Sequence, residues 1–328
     1  MAKPENAARK NVLRESENPK DYTAIKGYDF NKGLDYNKII DSYLTTGFQA
    51  THLAKAIDII KEMRKQKCTI YLGYTSNMVT SGLRDIFRYL AEHKLVDIIV
   101  TTAGGVEEDI IKCIEPFMLG KFEESGAKLR EKGINRTGNI FVPNSRYCRF
   151  EDFMMPIFKK MLEEQKQTGH IITPSEFTAR LGKEINSKES IYYWTQKNNI
   201  PVFCPALTDG SVGDMIYFFK HNNPEFMIDI AADMHKLNEL TMESKKTGII
   251  ILGAGIVKHH ICNTNMFRNG ADYAVYINNA QEFDGSDAGA RPDEAVSWGK
   301  ILPEARTIKV FGDATILFPL IVAKTFVD

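Results

Sequence analysis

The feature that most constrains the fold of this chain is a repeated alternation of short apolar runs with longer amphipathic stretches. Each run is almost continuously apolar, is rich in Ile and Val, and ends in a small or polar residue. The runs are residues 68–74, 96–102, 139–143, 201–205, 247–255, 272–278 and 307–313. Strands of this kind are buried on both faces, as in parallel sheets covered by helices. We therefore predict an α/β fold: a doubly wound, mostly parallel Rossmann-like sheet with helices on both faces.

Helical periodicity accounts for most of the chain between these runs. Apolar residues spaced three and four apart predict an N-terminal helical extension over residues 36–65. Further helices are predicted at residues 77–93, 107–118, 151–166, 174–185, 213–221, 226–245, 257–268 and 314–325. Thr173, Pro174 and Glu176 have the spacing of an N-cap, a first-turn proline and a capping-box acid, which predicts where one of these helices begins.

The distribution of charge and apolar residues divides the chain into an arm and one domain. Residues 1–25 are charged and poor in large apolar groups, which predicts a mobile N-terminal arm. Residues 26–328 contain no linker and no internal repeat. We expect them to form a single α/β domain that is long enough to bury a large core.

Composition argues against several classes of protein. Lys plus Arg and Asp plus Glu number 42 each, so the net charge gives no sign of a nucleic-acid or membrane partner. The N-terminus lacks the apolar segment of a secretory signal, and no apolar run approaches the roughly 18 residues of a membrane span. The five cysteines include no CxxC pair, which favours reduced thiols over disulfides or a metal site. We expect a soluble, cytoplasmic protein.

The loops that follow the predicted strands are polar and rich in glycine. They are residues 75–82, 101–109, 207–214, 252–260 and 278–300. Ligands bind outside the carboxyl ends of parallel strands, so these loops are where we expect the site. Their glycines and the helix N-termini beyond them suit a dinucleotide. Gly253 and Gly255 begin a GxGxxG pattern, but Lys258 stands at its third glycine position, so a plain strand-to-helix turn is the alternative.

Acidic side chains are concentrated in the same loops, although the chain as a whole is neutral. They are Glu107, Glu108, Asp209, Asp214, Asp284, Asp287, Asp293 and Glu294. Converging carboxylates stay ionised only when cations share the site, which indicates a metal or an organic polycation. The spacing of Asp284 and Asp287 breaks the calcium-loop pattern, so we expect no metal. The alternative for each acid is a turn or a helix N-cap.

The spacing of one glutamate and one tryptophan favours an organic polycation over a metal as the ligand. Glu294 and Trp298 are four residues apart, so a helix that begins at Pro292 would place a carboxylate and an indole on one face. Such a pair attracts an ammonium group through charge and cation–π interaction. A tryptophan that is only part of the core is the alternative.

One lysine and two histidines in these loops are candidate catalytic residues. Lys300 in a desolvated site would be an amine nucleophile that forms a Schiff base, whereas on the surface it would be an ordinary salt-bridge partner. His259 and His260 follow a strand at the start of a helix, where the neutral imidazole that a general base needs is favoured. A capping or core histidine is the alternative for each. Asn263 shares the helix face of His259.

The longer motifs around these residues resemble those of deoxyhypusine synthases. The resemblance is carried by residues 258–301 and by GYTSNMVTSGLR, VTTAGGVEEDIIKC, INSKESIYYWTQKNNIPVFCPALTDGSVGDMI and FGDATILFPLIVAKTF. It runs from about Lys26 to the end of the chain. It implies that NAD oxidises spermidine and that an enzyme lysine captures the resulting imine while diaminopropane leaves. The aminobutyl group then passes to a lysine of the precursor of translation initiation factor five-A, and the hydride returns from NADH.

The resemblance also implies a role for individual residues. The nucleophile is the lysine of SWGK, Lys300, and the general base is His259 of KHH. The spermidine-binding residues are Glu107, Glu108, Asp214, Asn263, Tyr276, Gly285, Ser286, Asp287, Glu294 and Trp298. The NAD-binding residues are Ser76, Asn77, Met78, Val79, Thr80, Thr102, Ala103, Gly104, Glu108, Asp209, Ala254, Asn279, Ala280, Asp284, Asp313 and Ala314. The implied assembly is a homotetramer, a dimer of dimers with paired sites at an interface and an N-terminal arm that covers the partner's entrance.

The chain departs from the family pattern at a few positions. Ala254 stands where glycine is common, and its methyl group would weaken NAD binding if the position needs φ > 0. Cys262 and Asn279 also differ from the commoner residues. Three alternatives remain open: a homospermidine synthase-type transfer to a free diamine, a partner subunit of a hetero-oligomeric deoxyhypusine synthase, and an NAD-binding protein of sirtuin-like architecture.

Overall fold

The strands of the protein form two sheets. The computed structural model describes residues 4–327. Its strands are β1 (Thr69–Tyr74), β2 (Ile98–Thr101), β3 (Met118–Leu119), β4 (Ile134–Thr137), β5 (Ile140–Pro143), β6 (Val202–Phe203), β7 (Thr247–Leu252), β8 (Ala271–Asn278) and β9 (Ile301–Phe311). The main sheet has six strands in the order β6-β2-β1-β7-β8-β9, and each neighbouring pair is parallel. The predicted α/β fold is confirmed.

Helices cover both faces of this sheet. They are α1 (Pro4–Val12), α2 (Tyr36–Thr46), α3 (Phe48–Lys65), α4 (Ser76–Thr80), α5 (Leu83–Glu92), α6 (Ala103–Ile114), α7 (Gly126–Glu131), α8 (Ser145–Thr168), α9 (Pro174–Ile185), α10 (Ile191–Lys197), α11 (Ser211–Lys220), α12 (Ile230–Glu243), α13 (Ile256–Phe267), α14 (Pro292–Ser297) and α15 (Ala314–Thr325). The capping box of α9 is present as predicted, with Thr173 and Glu176 bonded to each other's backbone. No helix within residues 4–327 is long and apolar enough to cross a membrane.

Three predicted elements differ from the structure. The single helix predicted over residues 77–93 is two helices, α4 and α5, because the backbone is extended at Ser81. The single helix over residues 36–65 is interrupted at Gly47, whose φ of 99° and the φ of 48° at Phe48 lie outside the helical region. The run 139–143 does not join the main sheet; β5 instead lies between β3 and β4 in a three-stranded antiparallel sheet. A short apolar run does not show which sheet a strand joins, because pairing is decided by distant parts of the chain.

The main sheet separates two apolar cores. On one face, alternate strand residues such as Leu72 and Ile250 pack with α3, α5, α6, α8 and α15. On the other face, Tyr71, Ile249 and Tyr276 pack with α12 and α13. Strands that are buried on both faces explain the nearly continuous apolar runs in the sequence.

The order of the strands fixes where a ligand can enter. The chain adds β2 and β6 on one side of β1, and adds β8 and β9 on the far side of β7. The direction of winding therefore changes between β1 and β7. In sheets of this type a crevice opens at the carboxyl ends of the strands at such a switch point.

The N-terminal segment lies outside both cores. Every residue from 4 to 25 is exposed, and α1 buries none of its side chains. Residues 1–3 of the predicted arm lie outside the described residues. The mobility of the arm stays a prediction.

Candidate active site

The loops that follow β1 and β7 meet at the switch point. Gly253 has φ of +83°, and a Cβ added there would lie 2.6 Å from Thr75 Oγ1. The Asn278 amide donates to Gly253 O over 3.1 Å, and the Ala280 N–H donates to Asn278 Oδ1 over 3.0 Å. These bonds join the loops after β7 and β8 at the carboxyl edge of the sheet, and the loop after β1 packs against them through Thr75.

Lys300 directly precedes β9, and its side chain lies beside a histidine and an indole. Its side chain is 9% exposed, and Nζ lies 3.3 Å from His259 Nε2. The same Nζ lies 5.6 Å from the ring centroid of Trp298, whose side chain is 64% exposed. Gly299, with φ of +70°, ends the turn after α14 and brings Lys300 back toward α13. The predicted nucleophile and general base are therefore neighbours.

Two carboxylates share a pocket with this lysine. Asp287, Glu294, Trp298 and Lys300 line one small pocket together with Arg291. Asp287 Oδ2 is buried and has no hydrogen-bond partner among the described residues. A buried carboxylate oxygen without a partner is costly, so this atom is suited to a cationic ligand.

Tyr276 and Asn263 lie on the α13 side of the lysine. Tyr276 is fully buried, and its hydroxyl lies 3.1 Å from Cys262 Sγ. Burial raises the pKa of Tyr276 well above its ordinary value, so its hydroxyl stays protonated. Asn263 is partly buried, one turn after His259 on α13. Cys262, a departure from the family pattern, is thus a packed neighbour of a predicted spermidine-binding residue.

The remaining predicted polyamine-binding acids form a second group, between α6 and α11. Glu107 accepts a hydrogen bond of 2.8 Å from the Val212 N–H, and burial raises its pKa, with Asp214 and Asp209 adding to the shift. Burial also raises the pKa of Glu108 to about 7, although Thr80 donates a hydrogen bond to it. A buried acid pair of this kind favours a cationic ligand that restores full ionisation.

The two groups lie on opposite faces of the sheet. The apolar residues of α6 and α11 belong to the core with Leu72, whereas those of α13 belong to the core with Tyr71. Within residues 4–327, no hydrogen bond or ion pair connects Glu107, Glu108 or Asp214 to Lys300. One chain therefore does not bring all the predicted polyamine-binding residues together.

The residues predicted to bind NAD follow the carboxyl edge of the sheet. In sheet order they are Asp209 after β6; Thr102, Ala103 and Gly104 after β2; Ser76, Asn77, Met78, Val79 and Thr80 after β1; Ala254 after β7; Asn279, Ala280 and Asp284 after β8; and Asp313 and Ala314 after β9. Ser76 N–H donates to Thr102 Oγ1 over 3.0 Å, and a Cβ on Gly104 would lie 2.6 Å from Ser76 Cβ. Ala254 is not among the non-glycine residues with positive φ, so its methyl group does not strain the backbone.

Some of the predicted site acids also cap a helix or stabilise a turn, which was the alternative to ligand binding. Asp313 caps α15 by accepting from Thr315 N–H over 2.8 Å. Asp284 accepts from Ser286 N–H over 2.9 Å, and that bond, followed by the Ser286 hydroxyl, lowers the pKa of Asp284. His260, next to His259, faces another cavity with Phe203 and Met234, and burial lowers its pKa. No group of three or more His, Cys, Asp or Glu within residues 4–327 is arranged to hold a metal.

Sequence reasoning missed several ionisable residues at the site. Lys258 is 1% exposed; its ammonium donates to Asp287 O, and to Ala290 O over 2.9 Å. Arg291 lines the lysine pocket, and Tyr147 lies near the acid pair. One sequence signal could have identified Lys258: it lies between the apolar residues Val257 and Ile261 of α13, where a lysine is unusual.

Comparison with known proteins identifies the family. A family profile described as deoxyhypusine synthase matches residues 38–325. A probable deoxyhypusine synthase of Drosophila melanogaster is 53% identical over 350 residues, covering 99% of this chain and 95% of the relative. A deoxyhypusine synthase of Arabidopsis thaliana is 53% identical over 343 residues, covering 96% and 93%. The crystal structure of a putative deoxyhypusine synthase from Entamoeba histolytica matches with a TM-score of 0.67 and 37% identity, covering 92% and 96%. The chain therefore belongs to the deoxyhypusine synthase family and is an enzyme of that activity.

Proposed function

We propose that this enzyme transfers the aminobutyl group of spermidine, with NAD, through an imine on Lys300 to a lysine of the precursor of translation initiation factor five-A in the cytoplasm. The observation that carries this proposal is the environment of Lys300. Its amine is almost buried and lies 3.3 Å from His259 Nε2 in a pocket with a buried, unpartnered carboxylate oxygen.

Lys300 and His259 divide the chemistry between them. A lysine amine attacks an imine carbon only after it has lost its proton, and a nearby imidazole can accept that proton. His259 Nε2 is close enough to Lys300 Nζ for this exchange. The exposed side of His259 also leaves the imidazole accessible to substrate.

Spermidine is a cation, and the chain offers matching groups for it. Asp287 and Glu294 supply negative charge in the lysine pocket, and the exposed Trp298 offers an aromatic face to an ammonium group. Gly285 and Ser286 lie in the same loop as Asp287, and Asn263 and Tyr276 lie on its α13 side. The carboxylates fix the charged ends of the polyamine, so the carbon that reacts is held near Lys300.

The loops at the carboxyl edge of the sheet fit NAD. A Cβ on Gly255 would meet no atom within 4 Å, so the backbone there is open to a ligand, and its φ of +66° suits glycine. Ser76 to Thr80, Thr102 to Gly104 and Ala254 border this opening, and Asp284 and Asp313 lie farther along the edge. When bound, NAD supplies the hydride acceptor that spermidine oxidation needs.

A second copy of the chain is needed to complete the polyamine site. Glu107, Glu108 and Asp214 lie on the opposite face of the sheet from Lys300, so we assign them to the site of the neighbouring subunit in a homotetramer. Exposed apolar side chains are available for such an interface along α11, α12 and α13; they are Tyr217, Phe218, Ile230, Met234, Ile256, Met266 and Phe267. Apolar surface on this scale favours association. The exposed arm of residues 4–25 is then free to cover a neighbouring entrance.

Trapping of the intermediate tests this proposal. The purified protein is incubated with spermidine and NAD, reduced with borohydride and mapped by peptide mass spectrometry. We expect an aminobutyl adduct on Lys300 that requires NAD and is absent from Lys300→Ala. A folded, NAD-binding protein that forms no adduct would contradict the proposal and favour the role of a partner subunit.

The acceptor is tested in the same experiment. We expect the adduct to disappear when the factor five-A precursor is added and to persist with putrescine. Transfer to putrescine alone would instead identify a homospermidine synthase-type activity. Release of nicotinamide during turnover would indicate the sirtuin-like alternative.

A further inference from the structure

The loop that carries Asp284 and Asp287 closes on itself. This loop, residues 279–291, leaves the end of β8 and returns to the start of α14. Its two ends touch, since a Cβ added to Gly289 would lie 1.6 Å from Gln281 O. Loops whose ends meet in this way behave as compact units that are held by their own contacts. We call the region where Ala280 and Gln281 meet Gly289 and Ala290 the neck.

Apolar packing does little to hold the exposed part of this loop. Phe283 is its one large apolar side chain, and it is 85% exposed. Asp284, Gly285 and Ser286 are exposed as well. A cavity of about 550 Å³ lies beside the loop and is bordered by Glu282, Phe283 and Lys309. Other contacts must therefore set the position of the two carboxylates.

Two lysines supply these contacts at the neck. Lys309, on β9, donates to Ala280 O over 2.7 Å and to Gly289 O over 2.5 Å, one carbonyl on each side of the neck. Lys258, on α13, donates to Asp287 O and Ala290 O, and its Nζ lies 4.8 Å from the ring centroid of Tyr276. An ammonium group combines three donors with a charge that strengthens each bond.

The two lysines differ in their relation to the polyamine. Lys258 lines the pocket of Lys300, so its substitution would also change the surroundings of the substrate. Lys309 is not part of that pocket and borders the larger cavity instead. Burial lowers the pKa of both lysines.

We propose that Lys309 is a positioning residue, whose ammonium closes the neck of the 279–291 loop and thereby sets Asp287 for the polyamine and Asp284 for the cofactor. The proposal rests on the roles given to these two carboxylates above. We assign Lys309 no contact with either ligand, so it acts on the affinity for both through the loop. The imine chemistry at Lys300 does not depend on it.

Hydrogen exchange of the protein without ligands tests the clamp directly. In Lys309→Met we expect amide exchange within residues 279–291 to accelerate by about tenfold or more, with no change elsewhere. Lys309→Arg keeps the charge and several donors, and it should restore most of the protection. Arg306→Met is the matched control, because Arg306 stands on the same strand but pairs with Asp58 on α3. Unchanged exchange in the loop of Lys309→Met, or faster exchange throughout the domain, would overturn the proposal.

Steady-state kinetics test the consequence for binding. In Lys309→Met we expect the KM values for spermidine and for NAD to rise about tenfold while kcat changes less than about twofold. Lys309→Arg should lie close to the parent enzyme, and Arg306→Met should match it. A loss of kcat with unchanged KM values would contradict a positioning role. If the parent protein forms no Lys300 adduct, the proposed function fails, whereas the exchange experiment still decides whether Lys309 holds the loop.

Discussion

Among the predicted site carboxylates, Glu108 is the one whose ionisation the fold opposes most strongly. Its side chain is 8% exposed, and burial raises its pKa to about 7, with the charge of Glu107 adding to the shift. In the unfolded chain a glutamate titrates near pH 4.3. The folded chain thus binds this proton more tightly, so its stabilising contribution is complete below about pH 4 and is lost as the pH rises through 7.

Glu108→Gln removes this penalty. Without ligands at pH 8, we expect the variant to be more stable than the parent by about 2 kcal/mol, a rise in Tm of about 3 °C. At pH 5 the difference should shrink to about a third, and it should nearly vanish only below about pH 4, where the glutamate of the unfolded chain is protonated as well. Thermal melts at both pH values measure this, with the exposed Glu123→Gln as control. Equal shifts at the two pH values would show that ionisation of Glu108 is not the cause.

Trp298 is predicted to contribute attraction for the polyamine rather than packing. Because its ring is largely exposed, its loss should affect ligand binding more than stability. We expect Trp298→Leu to raise the KM for spermidine about fivefold, as the loss of about 1 kcal/mol of cation–π attraction requires, and Trp298→Phe to lie between. Trp194→Leu is the control, since the Trp194 indole donates to Lys188 O outside the site. A KM for Trp298→Leu equal to that of the parent would remove this role.

At the scale of single residues, the sequence predicts which residues form the site better than it predicts their contacts and pKa values. Lys300 and His259 are 41 positions apart, and their contact was implied only by the family resemblance. The raised pKa of Glu108 has no sequence signal, because burial depends on how α6 packs against α4 and α8. Lys309 has none either, since its partners are backbone carbonyls of a distant loop.

Among the elements, the loop after β7 is the most tightly constrained. Gly253 and Gly255 both have positive φ, but only at Gly253 would a Cβ collide with another loop. Both substitutions by alanine cost about 1 kcal/mol through the backbone alone. The two glycines are therefore a matched pair in which the contact with Thr75 is the main difference.

We expect Gly253→Ala to weaken NAD binding by more than tenfold, because Thr75 and the loop after β1 must move. Gly255→Ala should destabilise the protein by a similar amount, because the backbone cost is the same. It should weaken NAD binding less, unless the added methyl group contacts the cofactor itself. Calorimetric titration with NAD and thermal melts separate the two effects. Equal affinity of Gly253→Ala and the parent would place the cofactor away from the switch point.

The elements that were predicted correctly are those with a local cause. The parallel strands appear as buried apolar runs, and α9 begins at its capping box. The break at Gly47 was missed, because the apolar spacing continues through it and only the backbone shows the positive φ. The strand β5 was recognised, but its antiparallel sheet was not, since its partners β3 and β4 lack a comparable apolar run.

For the whole molecule, the central question is which residues share a site. The lysine group lies on one face of the sheet and the acid group on the other. No local pattern in the sequence gives this separation, because it follows from the order of the strands. If each site combines the lysine group of one subunit with the acid group of its neighbour, then one chain alone is incomplete.

Mixing two inactive variants tests this arrangement. Lys300→Ala lacks the proposed nucleophile and Glu108→Gln weakens the acid group, and each variant alone should have little activity. In a mixed dimer with shared sites, one site carries both substitutions and the other carries neither. Co-refolding or co-expression at equal amounts should therefore restore about a quarter of the parent activity, because about half of the dimers are mixed and each has one intact site. If every site were built within one chain, each would keep one substitution and mixing would restore nothing. Isolated mixed tetramers without activity would thus exclude the shared site, even though the enzyme remained an oligomer.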